Sequence, residues 1–197
     1  MIGFVLNPDW ISAISSAISA IAVIFGLFFG FKQITLWRTE ARDRRRAEVA
    51  EDLMAEAQNS VDVIQSLRSP MSRVPKESTS DPGYIYKQRW ERMADRNEVF
   101  ERLRHAQVRA KVVLQNNSAD SDIEEIFRIR VELLIALEML LEMSSYEDLT
   151  KEEVEQRIDL KRKAFGHGKN DDFGKKIEQT LRSVEEKLGP VARLETR

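Results

Sequence analysis

The sequence predicts an all-α protein, with a single N-terminal transmembrane helix continuing into a cytoplasmic up-down helical bundle. Three observations lead to that fold class. Residues 10–31 carry no charge over 22 consecutive positions. Downstream, apolar residues recur at three- and four-residue spacing, and no stretch alternates as a half-buried strand would. Basic side chains gather on one side only of the apolar run.

The apolar run reads WISAISSAISAIAVIFGLFFGF, from Trp10 to Phe31. As a helix rising ~1.5 Å per residue it reaches about 33 Å, enough for a hydrocarbon core of about 30 Å. Trp10 and Trp37 bracket it as interfacial aromatics do. A cleaved signal peptide would want a basic start and a shorter apolar core, whereas this start has Asp9 and neither Lys nor Arg. The expected division is a short external N-terminus (1–9), a transmembrane helix with an interfacial end (10–37), and a juxtamembrane basic segment with the first long helix (38–69). A loop (70–83) and the remainder of the bundle (84–197) follow. By the positive-inside rule the N-terminus faces out and the bundle is cytoplasmic, at a cell inner membrane.

Residues 1–46 hold six basic side chains (Lys32, Arg38, Arg42, Arg44, Arg45, Arg46) against three acidic ones, a net +3 that leaves −5 on the remainder of a chain of net charge −2. A mildly acidic domain is a poor ligand for nucleic acid, whose phosphates need a basic face. Arg42, Arg44, Arg45 and Arg46 are expected at lipid headgroups, by topology and by attraction to anionic lipid. Within the span Ser12, Ser15, Ser19, Ala22 and Gly26 repeat at spacings of three and four, and Ala22, Gly26 and Gly30 make two small-xxx-small steps. Small residues let helix backbones approach closely in lipid, so this seam is expected to make a homo-oligomer, with Ile18, Phe25 and Phe28 opposite it.

No Pro or Gly occurs between Gly30 and Ser69, so the membrane helix is expected to run on to Leu67, with Val49, Leu53, Ala57, Val61, Ile64 and Leu67 inward. The segment PMSRVPKESTSDPG reads as a loop. A second helix is expected from Tyr84 to Gln115, with Val99, Phe100, Leu103, Ala106, Ala110, Val113 and Leu114 inward. NNSADSD (116–122) is a loop ending in an N-cap. A third helix, Ile123–Met143, is the most apolar; its seven charges argue against a second membrane span. Thr150 and Glu153 form a capping box for a fourth helix, which Gly166 and Gly168 end. A fifth covers Phe173–Leu188, with Ile177, Leu181, Val184 and Leu188 on one stripe and Gly189-Pro190 as the stop.

The chain has no Cys and only two histidines, His105 and His167. That excludes disulfides, thiolate nucleophiles, and Cys-based or multi-histidine metal sites. No phosphate-binding, dinucleotide, nucleophile-elbow or zinc-protease motif occurs. Neither histidine follows a Glu by three residues, as a di-iron bundle requires. GHGKNDDF lacks the alternating ligands of a calcium loop and reads as a helix stop followed by an Asp N-cap. Neither a catalytic group, a cofactor nor a metal is therefore expected.

The hexapeptide RKAFGH, Arg162 to His167, resembles the Arg-x4-His pattern of HEPN-type ribonucleases, which are helical bundles. That resemblance covers six residues, with Gly166 inside it, and implies a membrane-anchored ribonuclease. The alternative pairing of Arg96-Asn97 with His105 falls on opposite helix faces.

Basic charge on inward faces stands out. Arg130 lies on the face of Ile123, Leu134, Leu137 and Leu141, and Arg96 and Gln107 on the face of Phe100, Leu103 and Leu114. A buried Arg must be paired. The expectation is either structural ion pairs with a neighbouring helix, or convergence of Arg96 and Arg130 on an anionic ligand. The functional expectation is a membrane-anchored scaffold, regulator or sensor of a prokaryotic envelope that self-associates and binds a protein partner. The alternatives are an oligomer that perturbs the bilayer, using Ser12, Ser15, Ser16 and Ser19, or the anchored ribonuclease.

Overall fold

The structure, a computed structural model, describes residues 8–69, 81–114, 118–146, 148–166 and 171–194, with side chains from Ser12 onward. The described residues form helices only: α1 (Pro8–Arg68), α2 (Tyr84–Asp95), α3 (Asn97–Leu114), α4 (Asp120–Met143), α5 (Lys151–Ala164) and α6 (Asp172–Ala192). The chain divides into two compact units, residues 1–44 and 45–197.

The first unit is helical from Pro8, a residue suited to the first helical position because its missing N–H has no intrahelical partner there. From Ser12 to Arg42 every side chain is exposed, including Ile18, Phe25, Phe28, Phe29 and Phe31. Its hydroxyls bond back into the helix. Ser15 Oγ donates to the Ser12 carbonyl (3.1 Å), Thr35 Oγ1 to those of Phe31 (3.0 Å) and Lys32 (2.8 Å), and Thr39 Oγ1 to that of Thr35 (2.8 Å). These polar groups therefore need no water.

The second unit is a bundle. The later part of α1 buries Val49, Ala50, Leu53, Ala57, Val61, Ile64 and Leu67, the expected helical stripe, and shares one core with the other helices. Helix α4 packs against α2, α3, α5 and α6. Ion pairs fix the directions. Asp52–Arg109 and Glu56–Arg102 run α1 antiparallel to α3, and Lys176, paired with both Glu125 and Glu132, together with Lys187–Asp122 runs α6 antiparallel to α4. At the far end of α4, Gly83 leads into α2 where a Cβ would lie 2.8 Å from Leu141 Cδ1 and Ser144 Oγ, so a side chain there would displace those two side-chain ends.

Several boundaries differ from expectation. The segment from Tyr84 to Gln115 is two helices, broken at Arg96, whose backbone (φ −98°, ψ 16°) leaves the helical region. Asp95 and Asn97 flank it, both weak helix formers. Helix α4 begins at Asp120, three residues early, with Asp120 and Asp122 in its first turn favoured by the helix dipole. Its buried face is Ile123, Ile126, Ile129, Leu133, Ala136, Leu137, Leu140 and Met143, while Leu134 and Leu141 sit at the edge. Gly189-Pro190 does not stop α6, which runs to Ala192. Leu188 and Gly189 are buried and Val191 and Ala192 pack on the core, so tertiary contacts hold a turn that Pro190 deprives of one hydrogen bond. Thr150 does cap α5: its Oγ1 accepts from the Glu153 N–H while Glu153 accepts from the Thr150 N–H. Of the 70–83 loop only 81–83 lie among the described residues, and His167 and Gly168 lie outside them.

A chain beginning at Ala47 is expected to be soluble and helical by circular dichroism without detergent, because its apolar stripes cover one another. Leu133→Ala in it should lower the unfolding free energy by about 2–5 kcal/mol. Insolubility of the detergent-free chain would contradict the self-contained core.

Candidate functional site

The first unit presents the small-residue seam on a bare helix. Ser12, Ser15, Ser19, Ala22, Gly26 and Gly30 are all exposed, and a Cβ built at Gly26 or Gly30 meets nothing within 4 Å. Arg42 and Arg44 are exposed, and Arg44 Nη2 donates to Glu40 Oε1 at 2.6 Å. In the second unit Arg45 is exposed and Arg46 partly buried. The expected headgroup residues are thus not equivalent: one is already ion-paired and another is partly withdrawn from solvent.

The inward residues named from sequence do not converge. Arg96 is exposed at the bend between α2 and α3. The expected inward phase fails there because the helix breaks at that residue. Arg130 is partly buried at the edge of the α4 face; it lies over the Phe100 ring (4.2 Å) and its Nη2 donates to Asn97 Oδ1 at 2.8 Å. Burial pushes its guanidinium below the ordinary value, and Glu101 opposes that shift. Gln107 is fully buried elsewhere, with every polar atom engaged. Its Oε1 accepts from Arg104 Nη1 (2.7 Å), and its Nε2 donates to Asp120 Oδ1 (2.7 Å) and Glu124 Oε1 (2.9 Å). Hydrogen bonds from Arg104 and then Gln107 hold the Glu124 carboxyl below its ordinary range.

Among the described residues two other arginines are the deeply buried ones. Arg89, on α2, is 1% exposed and Arg68, at the end of α1, 4%. Arg89 Nη1 donates to the carbonyls of Leu67 and Ala164, the latter at 3.2 Å, and Nη2 to the carbonyl of Ser69 at 2.6 Å. Its guanidinium lies over the Phe165 ring at 4.2 Å, and Tyr86 meets that ring edge-on. Arg68 Nε donates to the Lys163 carbonyl (2.8 Å). Its Nη2 donates to the Arg162 carbonyl (3.3 Å) and to Asp171 Oδ1 (2.6 Å), the N-cap of α6. The last carbonyls of any helix lack intrahelical partners and carry partial negative charge. Here the two guanidiniums supply the missing donors for the ends of α1 and α5. Desolvation lowers the Arg89 pKa to about 10, which leaves it cationic at neutral pH.

Sequence reasoning expected buried arginine but chose Arg96 and Arg130 instead of these two. Helical spacing puts both on inward faces: Arg68 lies four and seven residues after the buried Ile64 and Val61, and Arg89 eleven residues, about three turns, before Phe100. A signal was present in part: Arg89 lies three and four residues from the buried Tyr86 and Met93.

Beside this cluster an open cleft is lined by Asp159, Arg162, Lys163, Asp171, Asp172, Phe173 and Lys176. Its charges are of both signs and largely joined. Arg162 pairs with Asp159 (3.2 Å), Asp171 with Arg68, and Lys176 with Glu125 and Glu132. Helix α5 ends at Ala164 and Phe165 is extended, so the RKAFGH segment leaves the helix between Arg162 and His167.

Fold and residues together define a class: an all-α chain with one helix long and apolar enough to cross a membrane, joined to a bundle with its own core. No family model, curated protein or solved structure matches this chain.

Arg89→Met should destabilise the bundle by about 3–5 kcal/mol, because carbonyls of α1 and α5 are left buried without donors. Arg130→Ala should cost only about 1–2 kcal/mol, the loss of one hydrogen bond and a ring contact. Chemical denaturation of both variants checks the order; equal losses would contradict the assignment of Arg89 as the tie between helix ends.

Proposed function

We propose that this chain is a membrane-anchored helical scaffold or regulatory module that self-associates through its membrane helix and presents its bundle to a protein partner in the cytoplasm. The observation that carries the reading is α1 itself. Its exposed Ile and Phe side chains find no cover among the described residues, yet the same helix continues as a stripe of the bundle core. A helix is the form in which a chain satisfies its backbone inside lipid. The excess of basic residues after the apolar run supports a cytoplasmic bundle. Membrane lipid is thus the first partner, and a second copy of the chain the next, through Ser12, Ser15, Ser19, Ala22 and Gly26. With Gly26 open to a neighbour, two helices can approach backbone to backbone.

A reporter active only in the cytoplasm should work when fused after Arg197; activity of a periplasm-only reporter there would overturn the orientation. Gly26→Ile should weaken self-association several-fold in a membrane dimerisation assay, while Ile18→Leu should leave it intact. Equal association of Gly26→Ile and the unaltered chain would remove the seam as the contact.

A further inference from the structure

Along one face of α1 lie Phe31, Ile34, Arg38 and Arg42, at spacings of three, four and four residues, all exposed; Arg45 continues the face three residues further from the apolar run. That stripe turns from apolar to cationic within one helical turn, about 6 Å of rise. Of the two acidic residues of this stretch, Glu40 is about 200° around the helix from Arg38 and is held by Arg44 at 2.6 Å, and Asp43 is turned about 140° from Arg38 and about 100° from Arg42. Arg38 and Arg42 have no ion pair among the described residues. Neighbouring hydroxyls do not compete for an anion as free donors, since Thr35 and Thr39 donate to backbone carbonyls of the helix.

We infer that Arg38 and Arg42 form a contact for the phosphates of anionic phospholipids, and that this pair, rather than all the basic residues of the segment, gives the anchor its lipid preference. The inference rests on the membrane reading above. Cα–Cβ bonds on an α-helix tilt toward its N-terminus, so both arginine stems start toward Ile34 and Phe31, the apolar end of the stripe. A guanidinium offers phosphate two parallel N–H donors and is weakly hydrated, which favours it over ammonium in a headgroup layer. Trp37, exposed next to Arg38, adds an amphipathic ring at the same level. Arg44 contributes less, because its charge is already matched by Glu40.

The test uses the full chain reconstituted in phosphatidylcholine vesicles containing a trace of spin-labelled phosphatidylglycerol or spin-labelled phosphatidylcholine. The motionally restricted fraction of each label gives their relative association with the protein. The unaltered chain should prefer phosphatidylglycerol, and Arg38→Gln/Arg42→Gln should lose that preference, by at most about fivefold per arginine. Arg44→Gln should retain it, and about 1 M salt should suppress it by screening. Unchanged preference in the double variant, or an equal loss in Arg44→Gln, overturns the inference. So does loss of the preference to millimolar inorganic phosphate or to single-stranded RNA, since the pair would then serve soluble anions. A carbonate wash separates the two levels: release of the chain from vesicles refutes the membrane anchor itself, whereas retention without lipid preference refutes only the Arg38–Arg42 contact.

Discussion

The run of uncovered Ile, Val, Leu and Phe side chains on α1 constrains everything else about this chain. Leaving one such side chain in water rather than burying it costs roughly 1.5–3 kcal/mol, and a run of them on a bare helix has to be covered by lipid or by another protein. Lipid would offer no hydrogen bonds, and a continuous helix whose hydroxyls bond to its own carbonyls, as those of Ser15, Thr35 and Thr39 do, meets that condition. The helix is not interrupted where the apolar run ends. It changes only in which side chains it hides: none up to Arg42, then the stripe from Val49 to Leu67.

Ending so long a helix inside a bundle raises a second constraint. Carbonyls of its last turn are shielded from water and need donors from elsewhere in the chain. Arg89 supplies one to the Leu67 carbonyl and the Gly166 N–H one to that of Arg68 (2.9 Å), while the side chains of Arg89 and Arg68 reach the end of α5. Arg68 also holds the cap of α6 through Asp171. One polar cluster therefore ties α1, α2, α5 and α6 together. Its cations are matched mainly by carbonyl dipoles and aromatic faces, with Asp171 as the carboxylate partner of Arg68. That arrangement explains why buried arginine is compatible with a stable core here: the guanidinium is desolvated but supplied with acceptors. The Gln107 network does the same for α3 and α4 with a neutral amide at its centre, and its arginine, Arg104, stays at the surface over Phe127.

These two clusters limit the chemistry available to the bundle. Gln107 has its acceptor and both donors engaged, and the charged groups of the α5–α6 cleft largely answer one another. The first unit differs: Arg38, Arg42 and the small-residue seam are exposed with neighbours still to be supplied.

The sequence by itself determined the all-α class, the apolar run of α1, the core stripes of α1, α3 and α6, and the Thr150 capping box. Each depends on local periodicity or on groups three or four residues apart, which a linear pattern records directly. Tertiary structure decided the continuation of α6 through Pro190, the rotation of the α4 face toward Ile126 and Ile129, and which of the inward-phased arginines find acceptors. The reason is common to all three. A helix bends, persists or turns according to what its neighbours cover, and the carbonyls that Arg68 and Arg89 satisfy belong to residues up to 95 positions away, a proximity that exists only once the helices have packed.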